Sequence, residues 1–238
     1  MAKQILLVST STVHGSPYLS YIMPDVVRFF SGCMNLTFIP YARPGGISLD
    51  DYSSKAAKAF AEAGMSIKGI HTWENPQRAI EDCDGIFTGG GNTFLLLKTL
   101  QEQGLIESLR EKVLSGTPYM GTSAGSNIAG LTINNTNDMP IVYPQSFEAL
   151  GLVNFNLNPH YLDPDPTSKH MGETRETRIK EFHNQSNIPV FGIREGTALE
   201  IQEDEWKIIG EHSVRVFTKG KEPFETSDAQ ELRRIAIT

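Results

Sequence analysis

A serine lies between two glycines in a pattern that is typical of a catalytic turn. Gly121, Ser123 and Gly125 form Gly-x-Ser-x-Gly, and a short apolar run precedes them. Where a strand turns sharply into a helix, such glycines leave room for neighbouring backbone, and the serine hydroxyl stands at the end of the strand. The following helix N-terminus carries partial positive charge that can stabilise an oxyanion. The pattern predicts a nucleophile at Ser123, with a tight turn or an anion-binding loop as the alternative.

A serine nucleophile needs a general base at neutral pH. Of the six histidines, His160 is the best placed, because it ends an extended segment and begins a loop rich in proline and aspartate. His14, in a loop near the end of the first strand, is the second candidate. A carboxylate must also orient the imidazole. Asp138, in a polar loop, and Glu195, directly after a strand, are both candidates, and their positions do not separate them.

Three consecutive glycines at positions 89–91 form a second candidate feature. They follow the apolar run Gly85–Thr88 and precede an apolar helix. Glycines at such a junction expose backbone N–H groups and allow another group to approach closely. No Gly-Lys-Ser/Thr follows, which excludes a Walker phosphate loop. The run predicts an oxyanion or phosphate cradle, with a flexible turn as the alternative.

The first half of the chain alternates between strand and helix about five times. The expected strands before the serine turn are Ile5–Val8, Leu36–Ile39, Ile67–Ile70 and Gly85–Thr88. Between them lie helical patterns at Tyr18–Phe30, Asp51–Gly64 and Asn75–Asp82, and a helix at Leu105–Leu114 precedes the turn. This alternation predicts an α/β fold with a mostly parallel central sheet and helices on both faces.

The second half changes character. Asn154–Asn158 alternates polar and apolar residues, as an exposed strand does, and Gly172–His183 is a charged helix. Four further strands are expected, the last three with hairpin spacing: Val190–Ile193, Thr197–Ile201, Lys207–Gly210 and Val214–Phe217. Since no linker interrupts the pattern, we expect one domain over residues 1–238.

Composition limits the partners. The 238 residues carry a net charge of −7, and no block of lysine or arginine stands out, which argues against nucleic acid. Two isolated cysteines do not make a disulfide framework or a zinc site. No apolar run reaches transmembrane length, and the first is too short for a signal peptide. We expect a cytoplasmic protein without a membrane partner; the sequence leaves a monomer or a homodimer open.

Six segments, in the same order, resemble peptidase E, the α-aspartyl dipeptidase family, over nearly the whole chain. They are Thr88–Phe94, Gly121–Gly125, Thr136–Val142, Asn158–His160, Gly172–Ile179 and Gly192–Gly196. The resemblance implies a cytoplasmic serine exopeptidase that hydrolyses dipeptides with an N-terminal aspartate through an acyl-enzyme. It also implies a flavodoxin-like three-layer fold similar to the class I glutamine amidotransferases, whose members usually have cysteine at the turn.

The resemblance also implies roles for individual residues. Ser123 corresponds to the nucleophile, His160 to its base and Asp138 to the third member of the triad, with Glu195 as the alternative acid. The backbone N–H groups of Gly91 and Ala124 would hold the oxyanion. No metal or cofactor is implied.

Recognition of aspartate calls for arginine, whose planar fork of donors matches a carboxylate. The resemblance favours Arg175; Arg178 is less favoured, although it lies three residues along the same predicted helix face. Asn92 would bind the polar end of the substrate, and Glu195 would bind the free α-amino group if it lies outside the triad. Two alternatives to an α-aspartyl dipeptidase stay open: a hydrolase of β-linked or cyanophycin-type aspartyl peptides, and a non-catalytic amidotransferase-like binding protein.

Overall fold

The computed structural model describes residues 3–165, 167, 169 and 171–237. Its strands are β1 (Gln4–Val8), β2 (Leu36–Ile39), β3 (Ile67–Gly69), β4 (Gly85–Thr88), β5 (Tyr119–Thr122), β6 (Asn156–Pro159), β7 (Val190–Ile193), β8 (Ala198–Gln202), β9 (Glu205–Ile209), β10 (Val214–Phe217) and β11 (Phe224–Thr226). Its helices are α1 (Met23–Phe29), α2 (Leu49–Glu62), α3 (Pro76–Asp82), α4 (Thr93–Glu102), α5 (Ile106–Leu114), α6 (Ala124–Asn127), α7 (Arg175–Gln185) and α8 (Ala229–Ala236).

The larger sheet has seven strands in the order β3-β2-β4-β5-β1-β8-β9. Its first five strands are parallel to one another, and β8 and β9 add an antiparallel hairpin at one edge. The predicted mostly parallel sheet is therefore confirmed. Loops that follow parallel strands meet at one edge of a sheet, and this edge collects the candidate residues that follow β1, β2, β4 and β5.

Side chains of β1 alternate between two cores, one on each face of the larger sheet. Ile5 and Leu7 pack with residues of α3, α4, α5 and α8, whereas Leu6 and Val8 pack with residues of α1 and α2. All four side chains are completely buried, and burying each one stabilises the fold by roughly 1.5–3 kcal/mol. The two cores hold the sheet rigid beneath the loops at its edge.

The second half of the chain builds a second sheet that the sequence did not predict. Its four strands have the order β11-β10-β7-β6, and β10 pairs with β7 and β11. The expected hairpin between β9 and Val214–Phe217 is therefore wrong. Gly210 lies where the chain leaves β9; its φ is 104° and a Cβ there would lie 2.2 Å from the Gly196 carbonyl oxygen, so this position requires glycine. At this glycine the chain leaves the larger sheet instead of turning back along it.

Strand β6 corrects a second expectation, because it is buried where the polar alternation predicted exposure. Asn156 and Asn158 are each only 1% exposed. The Asn156 side chain accepts a hydrogen bond from the Thr132 N–H at 3.0 Å, and the Asn158 amide donates to the Asn135 carbonyl at 3.0 Å. Buried amides are stable when they are paired in this way, so the asparagines fasten β6 to the loop 132–138.

None of the described helices combines the length and the hydropathy needed to span a bilayer.

Candidate active site

Ser123 stands at a sharp turn between β5 and α6, as the Gly-x-Ser-x-Gly motif predicted. Its backbone has φ 51° and ψ −109°, a strained conformation for a residue with a side chain. A Cβ at Gly121 would lie 2.4 Å from the Gly125 carbonyl oxygen, and one at Gly125 would lie 2.2 Å from the Thr88 carbonyl oxygen. Both glycines are therefore required sterically, and the turn presents the serine side chain above the end of the sheet.

The Ser123 hydroxyl is the first member of a chain of side-chain hydrogen bonds. The His160 Nε2 atom lies 3.0 Å from Ser123 Oγ, and His160 Nδ1 lies 2.7 Å from Glu195 Oε1. Because an ionised carboxylate only accepts hydrogen bonds, the ring proton belongs on Nδ1, and Nε2 can accept the serine proton. This is the arrangement of a nucleophile, a base and an orienting acid.

Backbone contacts fix the position of His160. Its φ is 53°, and its N–H donates to Ser9 Oγ at 2.9 Å. The Ser9 hydroxyl in turn donates to the Ile193 carbonyl at 2.8 Å. Ser9 follows β1 and so joins the ends of β6 and β7 to the larger sheet, which aligns the histidine with Glu195. Ser9 was not among the predicted site residues, although the polar run 9–12 directly after a buried strand was a signal.

Asp138 does not occupy the position that the sequence resemblance gave it as the acid beside His160. Its Oδ2 atom accepts hydrogen bonds from the Thr93 N–H, at 2.7 Å, and from the Thr93 hydroxyl. The carboxylate therefore caps the N-terminus of α4, where backbone donors and the helix dipole favour negative charge. Of the two acids that the sequence left open, Glu195 is the one that contacts the imidazole.

The glycine run packs directly against the serine turn. A Cβ at Gly90 would lie 3.1 Å from Ser123 Cβ. The Tyr52 hydroxyl accepts a hydrogen bond from the Gly90 N–H at 3.0 Å and donates to the Gly90 carbonyl at 3.3 Å. At Gly91, φ is 145° and a Cβ would lie 2.2 Å from the Ala42 carbonyl oxygen. Only glycine fits this path, which brings the backbone close to the serine.

Two backbone N–H groups near Ser123 are suited to an oxyanion. Gly91 N–H has no backbone acceptor within the described part of the chain. Ala124 is the first residue of α6, and the first N–H groups of a helix have no intrahelical acceptor. These are the two donors that the family resemblance implied.

Two cavities meet at the serine, and both are lined by Ser123, Asp138 and His160. The first, of about 420 Å³, extends toward α2 and includes Arg43 and Lys55 in its wall. The second, of about 370 Å³, extends toward α7 and is also lined by five polar or charged side chains, by Pro159 and by Leu162. The five are Asn127, Thr136, Asn137, Arg175 and Glu195. The scissile group of a substrate can therefore lie at Ser123 with one part in each cavity.

Arg175 is the candidate reader of a carboxylate in the second cavity. Burial lowers the pKa of its guanidinium, the nearby Arg178 lowers it further, and Asp138 opposes the shift. Across the described residues, no carboxylate forms an ion pair with Arg175, whereas Arg178 Nε lies 3.6 Å from Glu173 Oε2. Among the described residues, Arg178 and Arg175 both line a neighbouring cavity of about 610 Å³ that does not include Ser123, but Arg178 does not line either cavity at Ser123. An arginine stays protonated despite such a shift, so Arg175 presents an unpaired cation.

The contacts of Asn92 differ from its predicted role in binding substrate. Its side-chain oxygen accepts a hydrogen bond from the Leu95 N–H and caps α4, and its amide donates to the Met139 carbonyl at 2.8 Å. Within the described residues, Asn92 lines neither of the two cavities at Ser123. Its amide instead holds the loop that carries Asp138 against the helix.

The fold and the site together define a serine-type peptidase. Residues 5–209 match the model of peptidase family S51, and the chain belongs to this family. It is 44% identical over 231 residues to peptidase E of Streptomyces coelicolor, with 97% of this chain and 94% of that protein covered. It is 42% identical over 219 residues to a probable alpha-aspartyl dipeptidase of Drosophila melanogaster, with 91% of this chain and 90% of that protein covered.

Solved structures support the fold. A putative peptidase E of Listeria monocytogenes superposes with a TM-score of 0.67 at 24% identity, covering 89% of this chain and 100% of the other. A peptidase from an acI-B1 actinobacterium gives the same TM-score at 20% identity, covering 95% of this chain and 98% of the other.

Proposed function

We propose that this chain hydrolyses dipeptides that begin with aspartate, and that Ser123, His160 and Glu195 form its catalytic triad. The observation that carries the proposal is the hydrogen-bonded series of these three side chains at the meeting point of two cavities, one of which contains the unpaired Arg175. The names of the relatives, peptidase E and alpha-aspartyl dipeptidase, support the same substrate class.

The reaction proceeds through an acyl-enzyme. Ser123 Oγ attacks the peptide carbonyl carbon while His160 Nε2 accepts the hydroxyl proton, and Glu195 stabilises the resulting imidazolium through Nδ1. The N–H groups of Gly91 and Ala124 donate to the oxyanion, and one such donor contributes roughly 3 kcal/mol to transition-state stabilisation. His160 then protonates the leaving amine. A water molecule, deprotonated by the same imidazole, hydrolyses the ester and releases aspartate.

Arg175 binds the β-carboxylate of the substrate aspartate. A guanidinium forms two parallel hydrogen bonds with a carboxylate, which fixes the orientation of the side chain as well as its charge. Asparagine has the same shape but would leave the cation without a countercharge, and alanine would leave it without any partner. Arg175 therefore selects aspartate by its charge.

Asp138 binds the free α-amino group, the role expected for Glu195 if that residue lay outside the triad. Its carboxylate is held at the N-terminus of α4 and lines the same cavity as Arg175. The two acids thus exchange their expected roles. With a cation for the side chain and an anion for the amine, the cavity is complementary to an N-terminal aspartate.

Hydrolysis of four dipeptides tests the proposed substrate class. With EDTA present, we expect Asp-Leu to be cleaved with a kcat/KM at least about 10²-fold above those of Asn-Leu, Glu-Leu and Ala-Leu. Product analysis on β-Asp-Arg provides the second arm. Efficient cleavage of β-Asp-Arg with none of Asp-Leu would reassign the enzyme to β-linked aspartyl peptides, and cleavage of neither would contradict a peptidase of either kind.

Replacement of Arg175 by alanine tests whether this residue binds the β-carboxylate of the substrate. We expect kcat/KM on Asp-Leu to fall about 10²-fold, since a charge-assisted bidentate contact is lost, and the preference for Asp-Leu over Ala-Leu to disappear. Arg178→Ala provides the comparison, because Arg178 lies one turn further along the same helix and pairs with Glu173. An unchanged preference in Arg175→Ala, or an equal loss in Arg178→Ala, would refute the assignment.

A further inference from the structure

We infer that the 420 Å³ cavity is the leaving-group subsite, and that Arg43 and Lys55 in it bind the C-terminal carboxylate of the dipeptide. The inference rests on the proposed function and extends it from the aspartyl residue to the second residue. It also supplies a physical reason for the enzyme to act on dipeptides rather than on longer chains.

The placement of the two cavities assigns the two ends of the substrate. The scissile carbonyl must lie between Ser123 Oγ and the oxyanion donors, so its two substituents extend to opposite sides. Arg175 lines the second cavity and not the first, which places the aspartyl residue there. The leaving residue then enters the first cavity, whose wall includes Gly90, Gly91 and the apolar side chain of Ile47.

Two tyrosines support the cations of this cavity. The Arg43 guanidinium lies over the Tyr52 ring, 5.4 Å from its centroid, and the Lys55 ammonium lies over the Tyr18 ring at 4.9 Å. The two rings pack edge to face at 6.3 Å. A cation over an aromatic face is attracted to it, so the aromatic pair holds both cations at the wall of the cavity.

Among the described residues, neither cation has a carboxylate as an ion-pair partner. In the portion of the chain that the structure describes, the ion pairs involve other basic residues, and no carboxylate lies within 4.0 Å of Arg43 or Lys55. Both side chains are exposed, and the chain as a whole carries a charge of −7. A pair of unpaired cations in an acidic protein marks a local site for an anion.

The anion that fits is the α-carboxylate of a single leaving residue. Tyr52 links this cavity to the nucleophile, because its ring contacts Arg43 while its hydroxyl holds Gly90 beside Ser123. A further residue on the substrate would move the carboxylate about 3.4 Å along an extended chain. It would also replace the carboxylate in this cavity by a neutral amide.

A comparison of Asp-Leu with its C-terminal amide, Asp-Leu-NH₂, tests this subsite. In the second peptide a neutral amide of nearly the same shape replaces the terminal carboxylate of the leaving residue. For the wild-type protein we expect kcat/KM to be about tenfold higher on Asp-Leu, the ratio given by one charge-assisted contact. In the double variant Arg43→Ala/Lys55→Ala, we expect this ratio to fall to about one through a higher KM on Asp-Leu. The single variant Arg43→Lys, which keeps Lys55, should retain most of the preference for Asp-Leu over Asp-Leu-NH₂.

Lys58→Ala is the matched control, because Lys58 is exposed on the same helix, one turn beyond Lys55, and does not line the cavity. It should leave the ratio unchanged. A wild-type ratio near one, or a ratio that survives in the double variant, overturns the inference while cleavage of Asp-Leu still supports the proposed function. Equal losses on both peptides would mean that Arg43 and Lys55 serve the aspartyl residue, which also overturns it. If neither peptide is cleaved, the proposed function is wrong, and the subsite inference that rests on it is rejected as well.

Discussion

Replacing Ser123 by alanine should lower kcat/KM on Asp-Leu by about 10⁴-fold or more. Without the hydroxyl no acyl-enzyme forms, and only the oxyanion donors and substrate binding contribute to any remaining rate. The fold should persist, because the serine side chain has one hydrogen bond within the described chain, the bond to His160, and alanine is only slightly smaller. Steady-state kinetics and a thermal unfolding curve measure the two effects.

Ser115→Ala is the control for this variant. Ser115 is exposed at the end of α5, and its hydroxyl donates a hydrogen bond to the Lys112 carbonyl, its one side-chain hydrogen bond among the described residues. It should retain wild-type activity. If Ser123→Ala kept even a tenth of the activity on Asp-Leu, the proposed nucleophile would be wrong. Loss of the cooperative unfolding transition would instead indicate damage to the turn.

The serine turn was predictable because its requirements are local. The glycines at 121 and 125 are needed for contacts within one strand, one helix and the neighbouring β4, and such needs leave a short motif in the sequence. The parallel sheet was predictable for a similar reason, since each strand and the helix after it have their own apolar period.

The second sheet was not predictable because its pairing depends on distant segments. Strand β10 follows β9 after four residues, yet it pairs with β7 and β11. Likewise, the asparagines of β6 are buried only because the loop 132–138 supplies partners for their amides. The alternation of polar and apolar residues does not show which distant groups will pair with these amides. By itself the pattern therefore predicts an exposed strand.

Which of the two acids contacts His160 was not predictable for the same reason, because it depends on segments that are distant in the sequence. Asp138 lies in a polar loop and Glu195 directly follows a predicted strand, and both are separated from His160 by more than twenty residues. What separates them is the short N-terminal turn of α4, which captures Asp138, and the pairing of β6 with β7, which places Glu195 beside the histidine. Neither feature can be read from the residues around the acids themselves.

Two substitutions that replace a carboxylate by an amide should affect different kinetic constants. Glu195→Gln should lower kcat on Asp-Leu by about 10³-fold with little change in KM, because the amide can favour the wrong imidazole tautomer and cannot stabilise the imidazolium. Asp138→Asn should instead act mainly on KM, raising it about tenfold or more, since the α-ammonium of the substrate loses its anion.

The contrast between kcat and KM is the decisive observation, because both variants are expected to be weak enzymes. Glu195 is 51% exposed, so its replacement should leave the unfolding temperature nearly unchanged, whereas Asp138→Asn weakens the cap of α4 and should lower it by a few degrees. Leu-Asp provides a further control, since a peptide without an N-terminal aspartate should be a poor substrate for the wild-type protein and for both variants. If the pattern were reversed, with kcat lost in Asp138→Asn and KM raised in Glu195→Gln, Asp138 would be the acid of the triad and Glu195 the anchor of the substrate amine.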